Sequence, residues 1–295
     1  MNIIRMTGGL GNQMFQYALY LKYKSLGVEA VFDDFTEYDS SKKNRRPIAL
    51  DVFGIDYPKA SIEQYHEFTD SYPGLVAKVK RKLKGRNNRE YFEKPHAFDA
   101  SILTKDNAYI AGFFQSEKYF MDIKEDVKKA FTFTLECKNY AEEILKDNDI
   151  LLSEITSEDS VSIHIRRGDY LEVADVYGDI CTDEYYDEAV SLLAKKVAEP
   201  IFYIFTNDVD YATKWSEKYA ERGVKMKIIT GTNEATGYLD MYLMSLCHHH
   251  IIANSSFSWW GAYLNKRKES IVIAPDKWVN NADNKDIYTE DMIKL

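Results

Sequence analysis

Residues 160–170 read SVSIHIRRGDY. Val161, Ile163 and Ile165 alternate with small or polar residues, the period-two pattern of a β-strand with one buried face. His164, Arg166, Arg167 and, past a glycine, Asp169 cluster at its end. Adjacent guanidinium groups are costly to bury unless anions meet them, so carboxylates of the protein or a ligand must do so. Gly168 predicts a sharp turn, which sets the charged tips at a strand-to-loop edge. In open α/β sheets that edge is where ligands bind.

Outward from this strand the pattern repeats. A helical stretch TDEYYDEAVSLLAKKVAE follows, with Thr182 or Asp183 as N-cap, then strand IFYIFT, helix DYATKWSEKYAERG, strand VKMKIIT and helix GYLDMYLMSLC. Strand HHIIAN, helix SFSWWGAYLN and strand SIVIAP complete the half. Strands alternating with helices of ten or more residues predict βαβ units and a parallel sheet. The N-terminal half opens alike: strand IIRM, loop TGGLGN, helix QMFQYALYLKYKSLG, strand VEAVF. The pattern weakens over residues 35–105 and resumes at YIAGFF. A boundary near residue 155 gives two Rossmann-like domains, 1–155 and 156–295, with a ligand cleft expected between them.

The chain's 295 residues are 45% hydrophobic and 29% charged, the balance of a globular protein with a real core. A net charge of −9 argues against a nucleic-acid binder, which needs a basic footprint. Cys137, Cys181 and Cys247 are far apart and form no CxxC pair, so they read as free thiols in a reducing compartment. With neither a leader-like N-terminus nor a run of about eighteen apolar residues, the expectation is a cytoplasmic protein, or one docked peripherally on a membrane.

Several stretches admit more than one reading. TGGLGNQMF (7–15) is a glycine turn entering a helix, suited to a phosphate or sugar oxygen. A dinucleotide fingerprint would need a glycine where Met14 stands, yet Asp33 and Asp34 follow roughly twenty residues on. An NAD-dependent oxidoreductase using Gly9, Gly11 and Asp34 is therefore one alternative, and a turn made only for packing is another. Asp208-Val209-Asp210 has the spacing that some sugar-nucleotide enzymes use for a divalent cation, but acids also favour helix starts as caps. In CHHH (247–250) adjacent strand residues point to opposite faces, so three histidines cannot meet one ion and no metal is assigned. In NSSFSWWGAYL (254–264), Asn254, Ser255 and Ser256 end a strand and begin a helix, an arrangement suited to an anion. Trp259 and Trp260 serve either the core or, in a second alternative, a non-catalytic glycan-binding module. Finally, KVKRKLKGRNNR (78–89) is basic, with Val76, Val79 and Leu83 on one helical face. It reads as a solvated helix or as a patch against an anionic membrane.

Taken in order, GGLGNQMFQYA, YIAGFFQSEKYF, HIRRGDY, FTNDVDYA and NSSFSWWGAYL resemble the α-1,2-fucosyltransferases of glycosyltransferase family 11, over residues 8–264. The resemblance implies a GT-B fold of two Rossmann-like domains, 1–155 on the acceptor side and 156–295 binding GDP-fucose, with no metal or other cofactor required. The implied partners are GDP-fucose and a galactose-terminated glycan. Carried over by motif, His164, Arg166, Arg167 and Asp169 match an HxRRxD block whose first arginine contacts the donor diphosphate. Gly9 and Asn12 match a donor-facing loop; Ser255, Ser256 and Phe257, after Asn254, match a donor-phosphate loop. Asn207 or Asp208 would reach the guanine or ribose. Asp169 and Glu172 are the candidates for the base that takes the acceptor proton, with Asp169 alternatively bracing an arginine. The family's membrane-anchored members begin with a membrane helix; this sequence shows none, which fits a bacterial enzyme building surface glycans from the cytoplasmic side.

Overall fold

The computed structural model describes the chain except residues 39–45, 87, 95–96, 169 and 171–172. It divides into two compact units, Met1–Ala130 and Phe131–Leu295. In the first, β1 (Asn2–Arg5), β2 (Ala30–Asp33), β3 (Glu90–Phe92) and β4 (Tyr109–Ala111) form a parallel sheet in the order β2-β1-β4-β3. Helix Leu10–Ser25 links β1 to β2 and buries Met14, Phe15, Ala18, Leu19 and Tyr23 on one face. Lys22 and Lys24 occupy its last turn, where cations suit the negative helix end. The segment TGGLGN is not all loop as expected: the helix begins at Leu10, so Asn12 already lies in its first turn.

The second unit carries six parallel strands: β5 (Ser160–Ile165), β6 (Ile201–Thr206), β7 (Lys225–Ile228), β8 (His249–Ile251), β9 (Val272–Ala274) and β10 (Ile293–Lys294). Their order is β10-β9-β8-β5-β6-β7. One of the two central strands is β5, pairing Val161 with Phe202 on one side and with His249 on the other. All six of its residues are buried, so the expectation of one buried face gives way to two. Val161, Ile163 and Ile165 pack with Tyr185, Ala189 and Leu193 of helix Asp183–Lys196 and with Ala212 and Trp215 of helix Val209–Ala220. On the opposite face Ser162 Oγ lies 2.8 Å from His250 Nδ1, and His250 Nε2 lies 2.7 Å from Asn265 Nδ2. Polar residues are tolerated there because each is hydrogen-bonded.

The unit begins at Phe131, before the boundary expected near residue 155. The intervening segment packs on the second unit: Phe131 meets Trp260 at 5.0 Å between ring centroids and Phe133 meets Tyr242 at 5.1 Å. Asn148 Nδ2 donates to the Thr230 carbonyl at 2.9 Å. Among the described residues no helix is long and apolar enough to cross a membrane.

Candidate active site

From β5 the chain steps outward through β6 to β7, then returns to the other side of β5 for β8, β9 and β10. Strand order therefore reverses between β5 and β8, and ligands bind in the crevice at the carboxyl ends of such strands. Those ends are His164–Gly168 and Asn254–Phe257, the two stretches singled out by sequence.

At the end of β5 the loop is locked to its neighbour. Arg167 N donates to Asn207 Oδ1 at 2.9 Å, and Asn207 Nδ2 returns a bond to the Arg167 carbonyl at 3.1 Å. Gly168 has φ +63°, and a Cβ there would lie 2.8 Å from Asn207 Nδ2, so glycine is required by backbone and space alike. The Arg167 guanidinium lies 3.9 Å from the Tyr211 ring centroid. Its Nε is 3.3 Å from Asp208 Oδ2, an ionic contact without hydrogen-bond geometry, since Nε is buried with no hydrogen-bond partner. Asp208 also caps helix Val209–Ala220, accepting from Tyr211 N at 3.1 Å. Asn207 and Asp208 are thus brought to the loop, where their side chains hold Arg167. Arg166, partly exposed, lies 5.5 Å from the Tyr170 ring centroid. Tyr170 in turn donates to the Asn254 carbonyl at 3.2 Å, which ties the ends of β5 and β8 together.

His164 is buried, and its Nδ1 has no hydrogen-bond partner. Burial, reinforced by the Arg166 charge, pushes its imidazole down to about 3. It therefore stays neutral near pH 7 and offers a lone pair or an N–H to a ligand rather than a charge. Its ring stands 5.5 Å from that of Phe257. On the β8 side, Ser255 caps helix Ser256–Tyr263 by accepting from Phe257 N at 3.3 Å. Asn254 is internally committed: Cys181 Sγ donates to its Oδ1 at 3.4 Å, and its Nδ2 donates to the Trp278 carbonyl at 3.1 Å. It shapes the turn, and the helix N-terminus after Ser255 supplies the positive end of a dipole. Asp169 and Glu172 lie outside the described residues.

Sequence reasoning missed Asp240. In the first turn of helix Tyr238–Leu246, just after β7, its Oδ2 accepts from Thr232 Oγ1 at 3.0 Å while Oδ1 is buried without a hydrogen-bond partner. Burial pushes this carboxyl up to about 7. An acid amid the apolar run GYLDMYLMSL was the available signal. Two glutamines were missed as well. Gln13, fully buried, donates to the carbonyls of Gly8 (3.0 Å) and Pro47 (3.0 Å) and accepts from Ala49 N at 3.0 Å. Gln16 joins Thr7 to the Gly112 carbonyl at 3.0 Å, bridging the loops after β1 and β4.

Gly9 and Asn12 belong to the first unit, at its own reversal of strand order between β1 and β4. Asn12 Oδ1 accepts from Gln115 Nε2 at 2.8 Å. Gly8, at φ +78°, leaves room for the Asn12 side chain: a Cβ there would meet Asn12 Nδ2 at 2.4 Å. Arg46 lies against Gly9, its Cδ 3.0 Å from where a Cβ would stand. The glycine turn thus makes room for side chains of the chain itself. The dinucleotide alternative also lacks its acid, for Asp33 accepts from Phe35 N, Thr36 N, Thr36 Oγ1 and Tyr109 OH, and Asp34 pairs with Lys59 at 2.7 Å. The glycan-module alternative relied on Trp259 and Trp260, which are both fully buried. Among the described residues no group of three or more His, Cys, Asp or Glu side chains is placed to hold a metal ion. His248, His249 and His250 each bond a different partner: the Lys268 carbonyl, Ile271 N and Ser162.

Comparison with known proteins adds to this geometry. The family model for Glycosyl transferase family 11 matches residues 77–295. The chain is 29% identical to an alpha-1,2-colitosyltransferase of Escherichia coli, over 94% of this chain and 91% of that one. It is 27% identical to galactoside alpha-(1,2)-fucosyltransferase 1 of Saimiri boliviensis boliviensis, over 52% of this chain and 42% of the monkey protein. Among solved structures, a mutant of Arabidopsis thaliana FUT1 in complex with GDP superposes with a TM-score of 0.50 at 13% identity, over 92% of this chain and 70% of that one. At that identity the likeness speaks to the fold, which is α/β of the GT-B type.

Proposed function

The chain belongs to glycosyl transferase family 11, and from that premise we propose that it moves L-fucose from GDP-β-L-fucose to O2 of a terminal β-galactoside, with inversion and without a divalent metal. The observation that carries this reading is the convergence of Arg166, His164 and the Ser255–Phe257 helix start at the β5/β8 reversal point. Sugar transfer from a nucleotide diphosphate breaks the C1–O bond and leaves its electron pair on the β-phosphate, while the sugar passes through an oxocarbenium-like state. Positive charge must be fixed where that negative charge grows. Arg166 offers a planar pair of donors, and the helix N-terminus adds its dipole. The acceptor O2 attacks C1 from the opposite face and gives its proton to a carboxylate, for which Asp169 and Glu172 are the proposed candidates. Arg167, held by Asp208 and Tyr211, keeps the loop in place. Asp240 fits the nucleobase: guanine presents an N1–H and an exocyclic amine that a buried carboxylate accepts together. We place the reaction on the cytoplasmic side, on a precursor of a surface glycan.

The donor sugar is the finer question, because a relative's name specifies colitose, which is fucose without its 3-hydroxyl. The test measures thermal stabilisation and transfer together. GDP should raise the melting temperature in EDTA, while NAD and free lactose should not. GDP-fucose should be used in preference to GDP-colitose with a β-galactoside acceptor. Loss of transfer in EDTA with recovery in manganese would transfer the role of the fixed charge to a metal and sink the mechanism. A preference for GDP-colitose would overturn the sugar assignment alone.

A further inference from the structure

The basic stretch is not what its sequence boundaries imply. Its helix runs Leu75–Lys84 and buries none of its residues. Beyond it, Arg86 Nε donates to the Thr69 carbonyl at 3.1 Å, and Arg89 pairs with Glu67 at 3.3 Å, so these two cations serve the fold. The helix itself reads LVAKVKRKLK and has no acidic residue. At about 100° per residue, Leu75, Val76, Val79 and Leu83 fall within an arc of roughly 100°. They are exposed by 80%, 85%, 56% and 80%, an apolar stripe left largely to solvent. Arg81 lies roughly on the opposite side of the helix, where its Nη1 donates to the carbonyls of Asp70 (3.0 Å) and Tyr72 (3.1 Å). That tether turns the stripe away from the body. Lys80 and Lys82 flank the stripe, with Lys78 beside Lys82, and Lys84 lies farther round; all four are exposed.

We propose that helix Leu75–Lys84 is an interfacial anchor that lays its apolar stripe into the headgroup boundary of an anionic phospholipid membrane, with the flanking lysines reaching the lipid phosphates. A protein of net charge −9 is repelled by such a surface as a whole, so contact requires a local cationic face, which this helix provides. Stripe and cations occupy neighbouring sectors, the pattern by which amphipathic helices lie in an interface without crossing it. A folded partner with an apolar groove and an acidic rim would match the same helix, and that is the reading left if the chain ignores vesicles. The anchor goes beyond the proposed reaction and does not depend on it.

The test is co-sedimentation of the full chain with vesicles at about 0.15 M salt, the ionic strength at which electrostatics act only near the surface. The chain should pellet with vesicles of phosphatidylglycerol and phosphatidylcholine and stay largely in solution with phosphatidylcholine alone. Combined Lys78→Gln, Lys80→Gln and Lys82→Gln should lower partitioning on the order of a hundredfold, roughly fivefold for each cation. Combined Val76→Ser, Val79→Ser and Leu83→Ser should abolish it. Both variants should keep the wild-type melting temperature, because the altered side chains touch solvent. Equal binding to both vesicle types, no binding by the wild type, or unchanged binding by either variant would overturn the proposal. So would a dimer, seen by sedimentation velocity, that the serine variant loses. The assay reads no sugar transfer, so its failure leaves the proposed reaction standing.

Discussion

Exchanging each of the two adjacent arginines for lysine separates the roles assigned to them. The substitution keeps a positive charge and removes the planar fork. At Arg167 the contacts to be lost are visible: a 3.3 Å approach to Asp208, with both side chains about one third exposed (32% and 33%), and a 3.9 Å stack on Tyr211. A screened pair at that exposure contributes at most about 1 kcal/mol, and a partly exposed cation–π contact about 0.5–1 kcal/mol. Lysine retains part of each, so Arg167→Lys should cost about 1 kcal/mol of loop order, a fivefold weakening of GDP with turnover little changed. The reciprocal Arg167–Asn207 backbone bonds survive the exchange and limit the loss. Arg166 is different, because the negative charge on its proposed partner, the β-phosphate, grows during bond breaking. Losing an interaction that strengthens in the transition state lowers turnover more than ground-state affinity. Losing one well-aimed donor costs about 2.7 kcal/mol or more, so Arg166→Lys should reduce kcat at least about a hundredfold. Calorimetric titration with GDP and steady-state kinetics with GDP-fucose and lactose read the two quantities separately, with melting curves confirming folding. Near-normal kcat in folded Arg166→Lys, or a larger fall in kcat at Arg167 than at Arg166, would refute the division of labour.

Asp240→Asn should weaken GDP at least about tenfold, since an amide cannot accept both guanine donors. It should also erase the preference for GDP over inosine diphosphate, which lacks the exocyclic amine; titration of both nucleotides checks this. Because the free carboxyl titrates near 7 and guanine needs it ionised, wild-type GDP affinity should fall as pH drops below about 7, approaching tenfold per unit. In the asparagine variant that dependence should disappear. Gln13→Leu leaves Ala49 N–H and the Pro47 carbonyl without their buried partner, at about 3 kcal/mol or more. Calorimetry should show a melting temperature lower by roughly 6–12 °C.

Local pattern and local chemistry determined much of this protein. Period-two alternation and helix spacing suffice for the α/β class and the parallel sheets, because parallel strands need helical crossovers. The Gly168 turn and the Asp208 and Ser255 caps were legible since turn and cap chemistry depend on near neighbours. What sequence left open depends on groups far apart along the chain. Alternation at Val161–Ile165 cannot distinguish one buried face from two, because the other face is closed by His250 and Asn265, about 90 and 100 residues away. The boundary at Phe131 was set by ring packing on Trp260 and Tyr242. Asp240 reads in sequence as one acid at the start of an apolar helix; only burial raises its carboxyl, and burial is a property of the assembled fold. The glycine turn at Gly8 advertises an anion site by composition, yet the space it opens is taken by Asn12. The outward stripe of Leu75–Lys84 had the helical period of a core-facing segment until Arg81 fixed which side faces the protein. Periodicity gives a helix a polar and an apolar side; what covers the apolar side is decided by where tertiary contacts hold it.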